Sequence, residues 1–179
     1  MSEPAPSRKL VGDAVLRDPL VRELLAMRLV AVLATLEPDG SVHAVPMWLA
    51  PGDGAILLAT GARSRKVRNL ERDPRATLVV HDSRPGAEVC GASLRGRVEL
   101  LRGDDAAAAI RMVHRRYVGD ARDRLPEVDA FLSSDDVAFR FLPGAAFTWD
   151  ERGSDAARAL RASAAAFPLE LTSPRNRAE

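Results

Sequence analysis

The amino-acid sequence predicts a small, mainly β fold with peripheral helices, in which an antiparallel sheet curves into a barrel. Three observations predict it. Much of the apolar content falls in runs of strand length, among them residues 29–36, 55–60 and 76–81. The clusters separating the early runs, Glu37-Pro38-Asp39-Gly40 and Pro51-Gly52-Asp53-Gly54, are tight-turn sequences too short for a parallel crossover. The longest run, residues 89–101, alternates Ala92, Leu94, Gly96, Val98 and Leu100 with Ser93, Arg95, Arg97 and Glu99. It therefore has one dry and one wet side, and its Gly91 and Gly96 suit a bulge or the sharp bend that barrel closure uses.

Each element has a local reason. Residues 1–12 are rich in Ser, Pro and charge and read as a flexible lead-in, which ends at residue 17 where the first helix signal begins. Asp18-Pro19 supplies an N-cap and a proline at the first helical position, and Leu20, Leu24 and Met27 make an apolar face, so a helix is expected over about residues 18–27. Residues 29–36 form a strand, residues 41–49 return antiparallel through the Pro-Asp-Gly turn, and residues 55–60 make a third strand in an expected meander. Residues 76–81 are a fourth strand, residues 82–86 a loop, and residues 89–101 a fifth strand.

Asp104 or Asp105 is expected to cap a helix ending near Gly119, with Ile110, Val113 and Tyr117 inward and Arg111, His114 and Arg115 outward. Residues 120–135 read as a mixed connection with one helical turn. Residues 137–142 alternate as a strand with Phe139 and Phe141 on one face, and residues 145–149 add another. The domain thus spans residues 18–150, and residues 151–179 are a charged, alanine-rich tail, helical over residues 154–167 or flexible.

Composition excludes several function classes. At 179 residues the chain suits one domain with a core of its own. Lys plus Arg number 26 against 25 Asp plus Glu, a balance that argues against a protein built to wrap nucleic acid. One cysteine, Cys90, excludes an intrachain disulfide and fits a reducing compartment; it reads as a small buried residue. His43, His81 and His114 lack the spacing of a metal site, and neither a Gly-x-Ser-x-Gly nor a Walker-type loop occurs. The amino-terminal residues lack an apolar core and no run is long enough to cross a bilayer, so a cytoplasmic protein is expected.

The chemistry concentrates in Ala62-Arg63-Ser64-Arg65-Lys66-Val67-Arg68-Asn69-Leu70-Glu71-Arg72-Asp73-Pro74-Arg75. Ser64 is a good N-cap, Val67 and Leu70 give a short helix one apolar edge, and Asp73-Pro74 stops it. Free N–H groups at the helix start share one direction with the dipole, and Arg63, Lys66 and Arg68 add full charges around that point. An anion, and a phosphate in particular, fits such a place. Ser64 and the Arg65 backbone are supporting donors, Ala59 and Thr60 lead into the site, and Asn69 either joins it or bonds to nearby backbone.

The string from Arg63 to Ala76, followed by Leu78-Val79-Val80, resembles the split β-barrel flavin-binding superfamily of pyridoxamine 5'-phosphate oxidase. Ala34-Thr35-Leu36-x-Pro38-Asp39-Gly40 and Leu94-x-Gly96-Arg97-Val98 extend the resemblance over residues 20–117, and more weakly over residues 137–149. It implies a six- to seven-stranded antiparallel split β-barrel and a homodimer with cofactor at the subunit interface. It also implies a phosphate grip at Arg63, Ser64, Arg65, Lys66 and Arg68, with Thr60 and Asn69 adjoining. The superfamily's second strand runs beside the flavin ring, which brings Pro46, Met47 and Trp48 to the cofactor.

Authentic pyridoxamine phosphate oxidases carry an Arg and a Lys on that strand, in a pattern like Arg-x-Val-Leu-Leu-Lys. Ala44-Val45-Pro46-Met47-Trp48-Leu49 has neither, which points away from vitamin synthesis. Lys66-x-Arg68-Asn69-Leu70 is similar to the actinobacterial flavin/deazaflavin oxidoreductases of class B. The resemblance therefore implies coenzyme F420, with FMN as the alternative, and hydride transfer to or from a small organic substrate. An FMN-dependent oxidase-like relative and a non-catalytic flavin or haem binder are the other readings. Catalytic side chains are not assigned, and no metal site is expected.

Overall fold

In the computed structural model, which describes residues 7–82 and 90–166, the chain opens with strand β1 (Arg8–Val11) and one helical turn, α1 (Ala14–Arg17). Residues 8–17 are therefore not the unstructured lead-in that composition suggests. β1 pairs antiparallel with a late strand, β8, and Val15 is fully buried. A distant strand edge satisfies this backbone, and local composition does not announce it.

Helix α2 (Pro19–Ala26) begins as its capping signal predicts: the Asp18 carboxylate accepts hydrogen bonds from the N–H groups of Leu20 and Val21 at 3.0 and 3.2 Å. Its stripe Leu20, Val21, Leu24 and Leu25 closes one side of the core. Strands β2 (Ala31–Leu36) and β3 (Val42–Met47) form the expected hairpin, in which Gly40 takes φ +85°. Strands β4 (Leu49–Gly52) and β5 (Ala55–Thr60) make a second hairpin.

Helix α3 (Arg65–Arg72), strands β6 (Arg75–Asp82) and β7 (Cys90–Leu101), helices α4 (Gly103–Val118), α5 (Ala121–Arg124) and α6 (Pro126–Leu132), strand β8 (Val137–Asp150) and helix α7 (Asp155–Ala166) complete the chain. Most of the loop expected over residues 82–86 lies outside the described residues, as do Val89 and Phe167.

The strands lie in the order β3-β2-β6-β7-β8-β5-β4, with β1 added beside β8. All pairings are antiparallel, as a split barrel requires. The expected meander does not form. β5 pairs with β8, from Ile56 opposite Phe141 to Thr60 opposite Val137, so the two hairpins stand at opposite ends of the sheet. Only Trp48 separates β3 from β4, and the chain itself therefore joins the two ends of the curled sheet.

The two strands expected over residues 137–142 and 145–149 are one strand of 14 residues. β7 follows its whole length, with a register slip between Arg95 and Gly96 that leaves Gly144 as the extra residue. The other edge of β8 is shared, β5 taking its first half and β1 its second. A Cβ on Gly96 would stand 2.1 Å from the Leu142 carbonyl oxygen, so this bend tolerates no side chain.

Two adjacent cross-strand rows show why the sheet has an inside. Val45, Leu33, Leu78, Leu94, Ala146 and Leu10 pair across β3, β2, β6, β7, β8 and β1, and the three central leucines are fully buried. One residue along, Ala44, Ala34, Thr77, Arg95, Ala145 and Val11 make the outward row. Burying one leucine contributes ~1.5–3 kcal/mol, so the inward row is the main lock on register.

α4 ends at Gly119 as expected, where φ is +60°, while Arg102 and not an aspartate occupies its N-cap position. Arg111 and Arg115 face solvent. His114 corrects the sequence reading: it is turned inward and only 2% exposed, because it continues the buried stripe four residues after Ile110. No helix among the described residues is long and apolar enough to cross a membrane.

Candidate functional site

α3 is seated by Val67 and Leu70, both buried, and by Arg72, whose guanidinium donates to the Leu36 carbonyl of β2. Its chain enters from β5 through a turn in which the Ser64 N–H donates to the Gly61 carbonyl at 3.0 Å. Ser64 holds the N-cap position with extended backbone, yet its hydroxyl caps nothing; it lies 3.5 Å from the Thr60 hydroxyl. Among the described residues no side chain caps the first-turn amides.

The expected cations divide. Arg68 Nη1 donates to the Arg63 carbonyl at 2.6 Å, which folds this guanidinium back toward the helix start, and Arg63 is exposed beside it. The Arg65 side chain leaves the group and pairs with Glu37 at 3.4 Å. Lys66 is half-buried and makes no hydrogen bond or ion pair among the described residues. Desolvation by burial draws its pKa below the ordinary lysine value, and the Asp135 carboxylate opposes that shift. An ammonium so placed gains from any anion that approaches it.

Asn69 is not at this surface. It is 2% exposed, and its amide donates to Thr35 Oγ at 3.1 Å, tying α3 to β2. It bonds a side chain of a neighbouring strand rather than nearby backbone.

Pro46, Met47 and Trp48 come together on a cleft of about 400 Å³, with Ala59 and Asp135 also on its wall. Trp48 stacks on Tyr117 with ring centroids 4.8 Å apart and planes within 2°. The Tyr117 hydroxyl donates to the Leu29 carbonyl at 2.5 Å and accepts the Leu49 N–H at 3.2 Å, so this wall is held rigidly. A larger cleft of about 680 Å³, lined by Asp13, Arg17, Arg22 and Asp53 among others, contains none of the expected site residues.

The segment before β8 joins the cleft to the cationic turn. Asp136 accepts the Ala62 N–H at 2.5 Å and returns its own N–H to the Thr60 carbonyl at 3.3 Å. Asp135, its neighbour, lies 2.9 Å from His114 Nε2. Sequence reasoning missed Asp135, Asp136 and the inward His114. The signal for His114 was its spacing from Ile110, whereas nothing near residues 135 and 136 announces a partner 74 residues away.

Cys90 is buried, and burial raises its thiol pKa, against a role as nucleophile. Among the described residues no cluster of His, Cys, Asp and Glu could hold a metal ion.

An antiparallel barrel split between two hairpins, with a cationic helix start beside a cleft, defines the class of the flavin-binding split barrels. Residues 18–150 match the family described as pyridoxamine 5'-phosphate oxidase, and the chain belongs to that family. Among solved structures, the conserved hypothetical protein Rv2991 from Mycobacterium tuberculosis is 30% identical, with a TM-score of 0.63 over 80% of this chain and 87% of that one. A protein described as an F420 reductase is 27% identical, with a TM-score of 0.56 over 70% of this chain and 94% of that one. A heme binding protein from Mycobacterium smegmatis is 25% identical, with a TM-score of 0.51 over 70% of this chain and 51% of that one. No curated protein matches.

Proposed function

We propose that this protein is a flavin-type oxidoreductase that takes coenzyme F420 in preference to FMN and moves a hydride between it and a small organic substrate. One observation carries the reading: Lys66, half-buried and without an ion-pair partner among the described residues, stands beside Arg63 and Arg68 at a helix start that no described side chain caps. A phosphate there receives backbone donors and full charges together. Each charged contact at ~4 Å gains on the order of 4 kcal/mol at an effective dielectric near 20, before desolvation is subtracted.

The residues present fit a molecule with an anionic tail and a flat ring. Arg63, Lys66, Arg68 and the amides after Ser64 would hold the tail, and Pro46, Met47 and Trp48 border the cleft that adjoins them. The bound flavin or deazaflavin ring supplies the hydride chemistry. The chain's tasks are to bind, to orient and to exclude water. F420 is favoured by the Lys66-x-Arg68-Asn69-Leu70 string and by the 27% identity to an F420 reductase.

A homodimer in the cytoplasm completes the proposal. Its support is the outward sheet face, where Val42, Val11 and Phe147 are 65%, 73% and 42% exposed, an apolar surface suited to a second copy. A haem-carrying role, the second reading, draws on the 25% identity to a heme binding protein. Among the described residues no histidine lines the cleft: His114 is buried and already bonded to Asp135.

Mass spectrometry of the copurified cofactor, followed by titration of the emptied protein with F420 and FMN under tryptophan fluorescence, tests the reading. Tight F420 binding with turnover of reduced cofactor is expected. Failure to bind either flavin would overturn it, and a monomer by light scattering would remove the dimer.

A further inference from the structure

We infer that the cleft beside α3 reads its occupant through Asp135: it takes a flat ring system that presents an N–H donor, and His114 is the positioning residue behind the carboxylate that receives it. The inference rests on the proposed function in one respect only, that the ring and the anionic tail belong to one ligand.

The cleft wall is predominantly apolar, built from Val30, Pro46, Met47, Trp48, Phe131 and Leu132 among others, and among the described residues Asp135 is its one ionisable lining residue. The carboxylate is committed on one side only. Asp135 Oδ2 lies 2.9 Å from Nε2 of His114, while Oδ1 has no hydrogen-bond partner among the described residues and the side chain is 23% exposed. An ionised carboxylate can only accept, so His114 Nε2 is the donor, and the buried ring fixes how Asp135 is presented. Trp48, which lines the cleft, is fixed by its stacking on Tyr117, and the cleft volume of about 400 Å³ falls in the ~300–1,000 Å³ range of small-molecule sites.

Neighbouring carboxylates show that this freedom is specific. Asp136 is spent on the Ala62 N–H, and Asp135 is not ion-paired with Lys66 although the two influence each other electrostatically. A ligand that fills the cleft strips water from Oδ1. Unless it returns a donor, that acceptor stays desolvated and unpaired, and the complex is penalised. Sites of this kind discriminate strongly against the analogue that lacks the donor.

Lumiflavin and 3-methyllumiflavin are the probes, tricyclic rings without a phosphate tail that differ only in whether the N3 position bears hydrogen or methyl. Titrated against the full-length protein by fluorescence quenching, the methylated ring is expected to bind at least about tenfold more weakly, the size of one hydrogen bond to a charged acceptor. Asp135→Ala should bring the two rings within about twofold. His114→Leu should shrink the discrimination with Asp135 still present, which a loss of packing alone would not do. Equal binding of the two rings by the unaltered protein, no binding of lumiflavin, or discrimination that survives Asp135→Ala would each overturn the inference. The advantage of FMN over lumiflavin, and its reduction in Lys66→Ala, reports the anion turn separately. That reading can therefore fail while Asp135 keeps its role, or stand while Asp135 loses it.

Discussion

The inward row of the sheet and the cationic turn before α3 carry opposite burdens. Leu33, Leu78 and Leu94 are fully buried and touch no candidate ligand surface, so their chemistry goes into stability. Arg63, Lys66 and Arg68 add little to the core, and the desolvated Lys66 works against folding at neutral pH. The difference teaches that this protein keeps its scaffold and its binding surface on separate residues. Changes in one should leave the other's observable nearly still.

Leu94→Ala should break the scaffold most. Removing a fully buried leucine from the middle of the inward row is expected to cost about 3 kcal/mol, read as a lowered urea midpoint. Flavin affinity of the folded fraction should stay within about twofold. A large loss of affinity at full stability would show that the two regions are not separate.

The converse experiment comes next. Arg63→Ala with Lys66→Ala removes two charges that face an anion, each contact being worth about 1.5–3 kcal/mol. Cofactor affinity should fall by at least about a hundredfold by fluorescence titration, with the thermal midpoint of the cofactor-free protein unchanged or slightly raised. Unaltered affinity would end the case for the grip.

How much of this was legible in the chain follows the same division. Strand alternation in β7, the Asp18 cap, the Gly40 turn and the cationic helix start are local signals, and each element stands where its residues place it. Strand order was not legible, because β5 chooses β8 as its neighbour across more than 75 residues and no local period records that choice. The candidate site divides likewise. The cationic helix start was legible from charge and capping signals, although Arg65 turns away to Glu37, but Asp135 and Asp136 are placed by contacts with α4 and with the turn after β5. Asn69 shows the cost of reading a motif without its packing: it stands among the cations in sequence and faces inward.

Asn69→Ala sharpens that point. It leaves Thr35 without its amide donor and should destabilise the protein by about 1–2 kcal/mol with cofactor affinity nearly unchanged. A variant of native stability with weakened flavin binding would instead return Asn69 to the site.

The smallest effect concerns pH. Burial holds the Lys66 pKa below its ordinary value, so the folded state binds this proton less tightly than the unfolded state does. The unfavourable contribution of Lys66 to stability is thus present at neutral pH and fades as pH rises through the lowered value toward 10.5. Anion binding runs the other way, since it needs the charged form. FMN affinity measured from neutral to alkaline pH, where the phosphate no longer titrates, should begin to fall before an ordinary lysine would lose its proton. A guanidinium does not lose its proton in this range, so the fall is bounded by the one lysine contact. In Lys66→Arg the cation persists and the profile should flatten over the same range. Identical profiles for the two proteins would mean that Lys66 does not meet the anion, and the boundary between scaffold and binding surface would have to be drawn elsewhere on α3.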